Sequence, residues 1–360
     1  MADYTISLHN PKQDTDEEVA ERVELSNLLS AEVAPDDPPT PVELAIASLR
    51  ATPERHKRWS FRVRDDNGTL VAIGGTTIDP EHDDNPDLLG VGINVHPDHR
   101  GSGIAGRLLA ELTAVAESEG RVRFISGTNG RVAAGEAFAK SVGAEAKSAS
   151  HMNRLIVPNV DRNQLEQWDA EGPARAEDYE LIAWDGPVPE EYMAKYVDIV
   201  LVMNTAPRDD LQINDFTLTP EEVREGERVA EASGTVSWTI VARRVSDGAW
   251  AGFHDVYWNA AEPASVYVGS TGVRPEHRGH ALGKWLKAHM QLRIMDERPD
   301  VKEVRTGNAD SNDAMLGINK AMGYEHWISS TTWELSVEQA TRWLGDRGLK
   351  ATAFPEGYRA

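Results

Sequence analysis

Four side chains of the second half are types that handle protons or hydrogen-bond a reacting group: His254, Asp255, Tyr257 and Asn319. The first three lie on one alternating, strand-like run, so Asp255 and Tyr257 share a face and His254 takes the other. An imidazole titrates near neutral pH and a carboxylate accepts a proton, so His254 and Asp255 are the candidate bases. Asn319 can donate a hydrogen bond but supplies no proton at neutral pH. These residues lie near a phrase that the chain writes twice. Val95-His96-Pro97-Asp98-His99-Arg100-Gly101 returns as Val273-Arg274-Pro275-Glu276-His277-Arg278-Gly279. Each copy ends an apolar, strand-like run and opens an amphipathic helix, which points to a duplicated domain. A glycine-rich turn at a helix start exposes backbone N–H groups that suit phosphate.

The elements around the two turns repeat in order. Each half reads strand, helix, helix, three strands, turn, helix, strand, helix, strand. The first helix after a turn carries its apolar face at Ile104, Leu108, Leu112 and Val115, the second at Leu282, Leu286, Met290 and Ile294. Asp66-Asn67-Gly68 marks a hairpin. Hairpin-linked strands are antiparallel and a strand–helix–strand step is a parallel crossover, so the fold class is α/β with mixed sheets. The expected organisation is a domain at 1–158, a polar linker at 159–178, a second domain at 179–336 and a terminal extension at 337–360. The 360 residues suit two domains.

The turns resemble the Gln/Arg-x-x-Gly-x-Gly/Ala signature of the GNAT superfamily of N-acetyltransferases, and both halves resemble the tandem actinobacterial type. The resemblance implies two GNAT-like acyl-CoA domains that transfer an acetyl group from acetyl-CoA to an amine by direct attack in a ternary complex. In the first half it assigns cofactor binding to Arg100, Gly101, Ser102, Gly103, Ile104 and Ala105, with Ile93 and Val95 offering backbone groups to the pantetheine arm. In the second half it assigns Arg278, Gly279, His280, Ala281, Leu282 and Gly283, with Val273 before them and Asn312 further along. Ala281 stands where glycine is usual, so the first loop is the better fit. The family's tyrosine acid, four residues before a Gly-Phe/Tyr pair, is replaced by Ala139 in the first half and Asn319 in the second. The cofactor loop is thus expected to be stronger in the first half, and the polar cleft groups richer in the second.

Net charge is −22, which argues against nucleic-acid binding and suits a small cationic acceptor. With no cysteine, the chain has no disulfide, no thiolate nucleophile and no Cys metal site, and its histidines lack metal-ligand spacing. No apolar run predicts a membrane span and no leader pattern is seen, so a cytoplasmic monomer or homodimer is expected. Alternative readings are a non-catalytic acyl-CoA sensor, a protein N-acetyltransferase, or one active half supported by an inactive one.

Overall fold

The computed structural model describes residues 3–355. The first repeat comprises β1 (Thr5–His9), α1 (Asp16–Val33), α2 (Val42–Ala51), β2 (Lys57–Arg64), β3 (Leu70–Ile78), β4 (Leu88–Gly90), β5 (Gly92–Val95), α3 (Ile104–Ser118), β6 (Arg123–Asn129), α4 (Ala133–Ser141) and β7 (Glu145–Ile156). Then come α5 (Arg162–Arg175), β8 (Tyr179–Asp185), α6 (Met193–Val200), α7 (Pro220–Ala232), β9 (Thr235–Arg244), β10 (Trp250–Asn259), β11 (Ser265–Val273), α8 (Leu282–Glu297), β12 (Glu303–Ala309), α9 (Asp313–Met322), β13 (Glu325–Ser336) and α10 (Val337–Gly345). Local chemistry sets several boundaries. Thr15 and Glu18 form a reciprocal capping box at α1, and Thr219 and Glu222 do the same at α7. Asp65 accepts the N–H groups of Asn67 and Thr69 and closes the turn into β3.

Two compact units result, each built from non-consecutive segments. The first holds residues 1–149, 210–214 and 329–360; the second holds 150–209 and 215–328. In the first unit β1, β2, β3 and β5 form an antiparallel sheet, while β4 pairs parallel to β6 and β6 pairs antiparallel to Ser330–Ser336 of β13. In the second unit the order is β7-β12-β11-β10-β9-β8, with β11 and β12 parallel and Ser150–Ile156 of β7 antiparallel to β12. The strand that ends each repeat therefore completes the sheet of the other unit. The polar stretch expected as a linker folds into α5, capped by Asp161, and packs along α8. The run Leu88–Val95 is broken at Val91: its first part joins β6 and its second joins β3.

Each core follows from strand alternation. In the first unit Phe61, Val63 and Ala72 cluster with Leu108, Leu112 and Val115 of α3. In the second, Ile240, Ala251, Val256 and Val304 face Leu286 and Met290 of α8. The alternate residues Val241 and Phe253 turn to the opposite layer, against Ile199 of α6 and Val202. Each fully buried Val, Leu, Ile, Phe or Met side chain among these contributes about 1.5–3 kcal/mol. Among the described residues no helix is long and apolar enough to cross a membrane.

Candidate functional site

The two turns share one geometry. Gly101 and Gly103 have φ of 76° and 87°; Gly279 and Ala281 have 89° and 57°. The left-handed residue at the second position is the N-cap of α3 or α8, and neither cap makes a side-chain hydrogen bond. The first N–H groups of both helices are thus left for an anion. Arg100 Nε donates to the Val95 carbonyl and Arg278 Nε to that of Val273, each at 3.1 Å. Beyond that bond the arginines differ. Arg100 forms a two-pronged ion pair with Glu32 of α1, at 2.7 and 2.6 Å, which pulls the carboxyl down and the guanidinium up. Arg278 reaches the Thr205 hydroxyl at 3.0 Å, and among the described residues no carboxylate pairs with it.

The strand before each turn has one open edge. His96 N–H bonds the Val71 carbonyl, so by alternation the backbone groups of Ile93 and Val95 point away from β3. Arg274 N–H bonds the Ala251 carbonyl, which turns Thr271 and Val273 away from β10. β12 pairs with β11 only as far as Tyr267, so the remainder of that edge is splayed open.

A bulge shapes the second unit beside this gap. Two residues of β11, Gly269 and Ser270, oppose the single residue Asp255 of β10. The Asp255 carboxylate fills the bulge and accepts the Ser270 N–H at 3.0 Å. A Cβ on Gly269 would stand 2.0 Å from its Oδ2, so any other residue there would displace the carboxylate. Burial pushes the Asp255 carboxyl up to about 7, and the Ser270 bond offsets part of that rise. Tyr257 on the same strand and Tyr196 of α6 feel the carboxylate's charge, and both phenols are raised, mainly by burial.

His254 faces the other side of the sheet. Its Nδ1 lies 2.8 Å from the Thr271 hydroxyl and 3.2 Å from the Ser270 carbonyl. A carbonyl only accepts, so Nδ1 carries the hydrogen. Burial, then the nearby Lys287 charge, holds this imidazole well below its ordinary value and therefore neutral. Lys287 itself is buried, and burial takes its amine down to about 7. Asn319, also buried, donates to Asn308 Oδ1 at 2.7 Å, while its own Oδ1 has no partner.

The fold therefore gathers Asp255 and Tyr257 on one face of β10, and His254 with Lys287 on the other. His280 lies against the Tyr179 ring, and Leu282 is buried in the core. Gly283 packs near Val273, whereas Asn312 accepts the Met315 N–H and caps α9. Ser102 donates to the His99 carbonyl, Ile104 is buried, and Ala105 lies in the first turn of α3. Lys287, Tyr196 and the Gly269–Ser270 bulge are absent from the sequence reading. Overlaying the two repeats reveals the first, since Lys287 falls where Leu109 stands. His9, Asp14 and Glu18 come together in the first unit, but the fully buried Arg62 pairs with Asp14 and, at 3.2 Å, with Glu18. A guanidinium already occupies that cluster.

Residues 23–144 match the acetyltransferase (GNAT) family model. Likeness in fold extends over the whole chain. The chain is similar over 93% of its length to a tandem GNAT protein from the clavulanic acid biosynthesis pathway, covering 99% of that chain with a TM-score of 0.74 at 23% identity. A GCN5-related N-acetyltransferase from Sphaerobacter thermophilus gives 0.65 at 14% identity, over 93% of this chain and 96% of that one. The GCN5-related glucosamine N-acetyltransferase region of a fungal GH3 β-N-acetylglucosaminidase gives 0.61 at 13%, over 93% and 38%. No curated protein matches the chain in sequence. The architecture is that of two GNAT folds in tandem.

Proposed function

We propose that the chain is an acyl-CoA-dependent N-acyltransferase for a small cationic amine, and that its second unit performs the chemistry. One observation carries this reading. By position relative to the shared turns, His254, Asp255, Lys287, Asn319 and Tyr324 correspond to Gly74, Gly75, Leu109, Ala139 and Ala144 in the first half. The second unit has polar groups beside its open strand, and the first has glycine and aliphatic residues.

An acyl-CoA fits the second unit's groups. Arg278 and the uncapped N–H groups of α8 would hold its diphosphate, and the Thr271–Val273 edge would hold its pantetheine arm. Bound there, it supplies an activated acyl carbon. Asp255 takes a proton from the incoming ammonium, for which a carboxyl near 7 is well matched at neutral pH. Tyr257 and Tyr196 beside it favour an amine cation through their ring faces. The overall charge of −22 raises the local concentration of such an acceptor.

The loop sequence favoured the first half for the main cofactor site; the Arg100–Glu32 pair shifts the proposal to the second. Calorimetric titration with acetyl-CoA tests this. Ala281→Trp is expected to remove the principal binding event, a loss of at least about tenfold in affinity, whereas Gly103→Trp leaves it in place. The reverse pattern assigns the site to the first unit. Absence of binding by the unmodified protein overturns the acyl-CoA reading, and binding without turnover across an amine panel favours a sensor.

A further inference from the structure

The second unit buries an amine beneath the gap between β11 and β12. Lys287 of α8 is 1% exposed, and its Nζ has no hydrogen-bond partner. The Tyr324 ring centroid lies 5.3 Å from it, and its charge reaches His254. His254 belongs to β10, on one side of the gap. Gly323, next to Tyr324, packs near Leu155 of β7, on the other side. The amine thus sits between the elements that flank the splay. The other buried polar atoms of this unit without partners include Gln291 Nε2, one turn along α8, and Asn319 Oδ1. An unpaired amine here is costly, and Leu109 shows that the corresponding position accepts an apolar side chain.

We propose that Lys287 donates a proton to the sulfur end of an acyl-CoA held on the open edge of β11, the role left vacant by Asn319. The assignment rests on the acyl-transfer reading. In the step, the acceptor nitrogen bonds the acyl carbon and the carbon–sulfur bond breaks. The sulfur leaves with the bonding electrons and takes a proton from the Lys287 ammonium. Of the two protons that the ammonium nitrogen loses on becoming an amide, one goes to Asp255 and the other to solvent; Asp255 then releases its proton to solvent, and solvent reprotonates Lys287. Burial holds the amine at about 7, where it can both give and regain a proton. The titratable groups facing it are His254 from β10 and Tyr324 after α9. Asp169 of α5 binds Trp285 and His289 of α8 instead.

The test titrates coenzyme A on the full chain and on Lys287→Met and Lys287→Gln, following thiolate absorbance with pH. The bound thiol of the unmodified protein is expected to ionise about one pH unit lower than in either variant. A second readout is thermal stability. The folded amine titrates near 7 and the unfolded one near 10.4, so its penalty is complete below pH 7 and fades as pH rises toward 10. Lys287→Met is therefore expected to raise the melting temperature more at pH 6 than at pH 9. Identical thiol ionisation in all three proteins overturns the proposal while leaving the acyl-CoA reading intact. A lower melting temperature for Lys287→Met at pH 6 makes the residue structural and also overturns it. If the unmodified protein binds no coenzyme A, both readings fall together.

Discussion

The two halves agree where the backbone needs support and part beside the open strand that precedes each turn. Tyr4 OH lies 3.1 Å from His99 Nδ1, and Tyr179 OH lies 2.9 Å from His277 Nδ1. The arginine-to-carbonyl bond in each turn is the same length. These contacts hold a strand end against a helix start, so any copy of the fold gains from them. The residues next to the open strand have no such duty. In the second unit they are His254, Asp255 and Lys287; in the first they are Gly74, Gly75 and Leu109. The first half is packed shut at these points. A Cβ on Gly74 would meet Leu108 Cδ2 at 3.0 Å, and one on Gly75 would meet the Trp59 carbonyl at 2.8 Å. The repeated fold has its scaffold twice and titratable side chains at these positions once.

Asp255→Asn should break the comparison most severely. It keeps the shape and the Ser270 bond but cannot accept a proton, so turnover with an accepted amine should fall about 10²–10⁴-fold. In the unmodified protein kcat/KM should rise with pH through about 7 as the carboxylate forms, and this limb should vanish in the variant. Stability supplies a second sign. A carboxyl raised above its unfolded value contributes stability that is complete below about pH 4 and lost as pH rises through 7. The variant should therefore gain most, relative to the parent, above pH 7. Full activity in Asp255→Asn would remove the main reason to place the chemistry in the second unit.

The reverse graft is the next largest effect. Gly75→Asp puts the base at the matching position of the first half, against a backbone carbonyl that cannot swing away. Denaturant unfolding should show a loss of about 1–3 kcal/mol, with no new activity. A stable, active Gly75→Asp would mean that the first half had lost one residue and not the room around it.

Much of this contrast was legible in the chain. The duplicated turn, the mixed sheets and the opposite facing of His254 and Asp255 all follow from period and punctuation. Four features escaped for physical reasons. The exchange of closing strands is a choice between two nearly equivalent pairings, and hydrophobic alternation is the same in either sheet. The Gly269–Ser270 bulge adds one residue to one strand without disturbing the pattern on its partner. The polar composition of 162–175 hid a helix whose few buried residues include Leu165 and Gly172, the latter lying so close to Trp285 that a Cβ would fall 2.5 Å from its ring. Lys287 was passed over because lysine beside an apolar stripe usually extends to solvent.

A milder change sharpens the contrast between the loops. Glu32 and Arg100 are both partly exposed, so their pair is screened and worth about 1 kcal/mol. Glu32→Gln leaves Arg100 its charge and removes the competing carboxylate. Measured by calorimetry in the Ala281→Trp background, coenzyme A affinity at the first loop should rise about fivefold, and less at high salt. No change would mean that the ion pair does not govern that loop, and the difference between the loops would have to lie in their caps.

The caps provide the smallest effect. Ala281 holds φ 57° where the first half has Gly103 at 87°, and a left-handed alanine costs about 1–2 kcal/mol. Ala281→Gly removes that strain but gives the unfolded chain more freedom, worth about 0.4–1 kcal/mol. The net gain should be about 0.5–1 kcal/mol, seen as a rise of about 2 °C in the melting temperature. The binding result then separates two causes of the loops' inequality. If coenzyme A binds Ala281→Gly as it binds the parent, the methyl group never obstructed the phosphate, and the free charge of Arg278 sets the affinity. If binding tightens, the second loop carries a steric handicap as well as strain. Its polar neighbours are then retained in spite of the poorer cradle, which locates the advantage of the second unit in proton handling and not in grip.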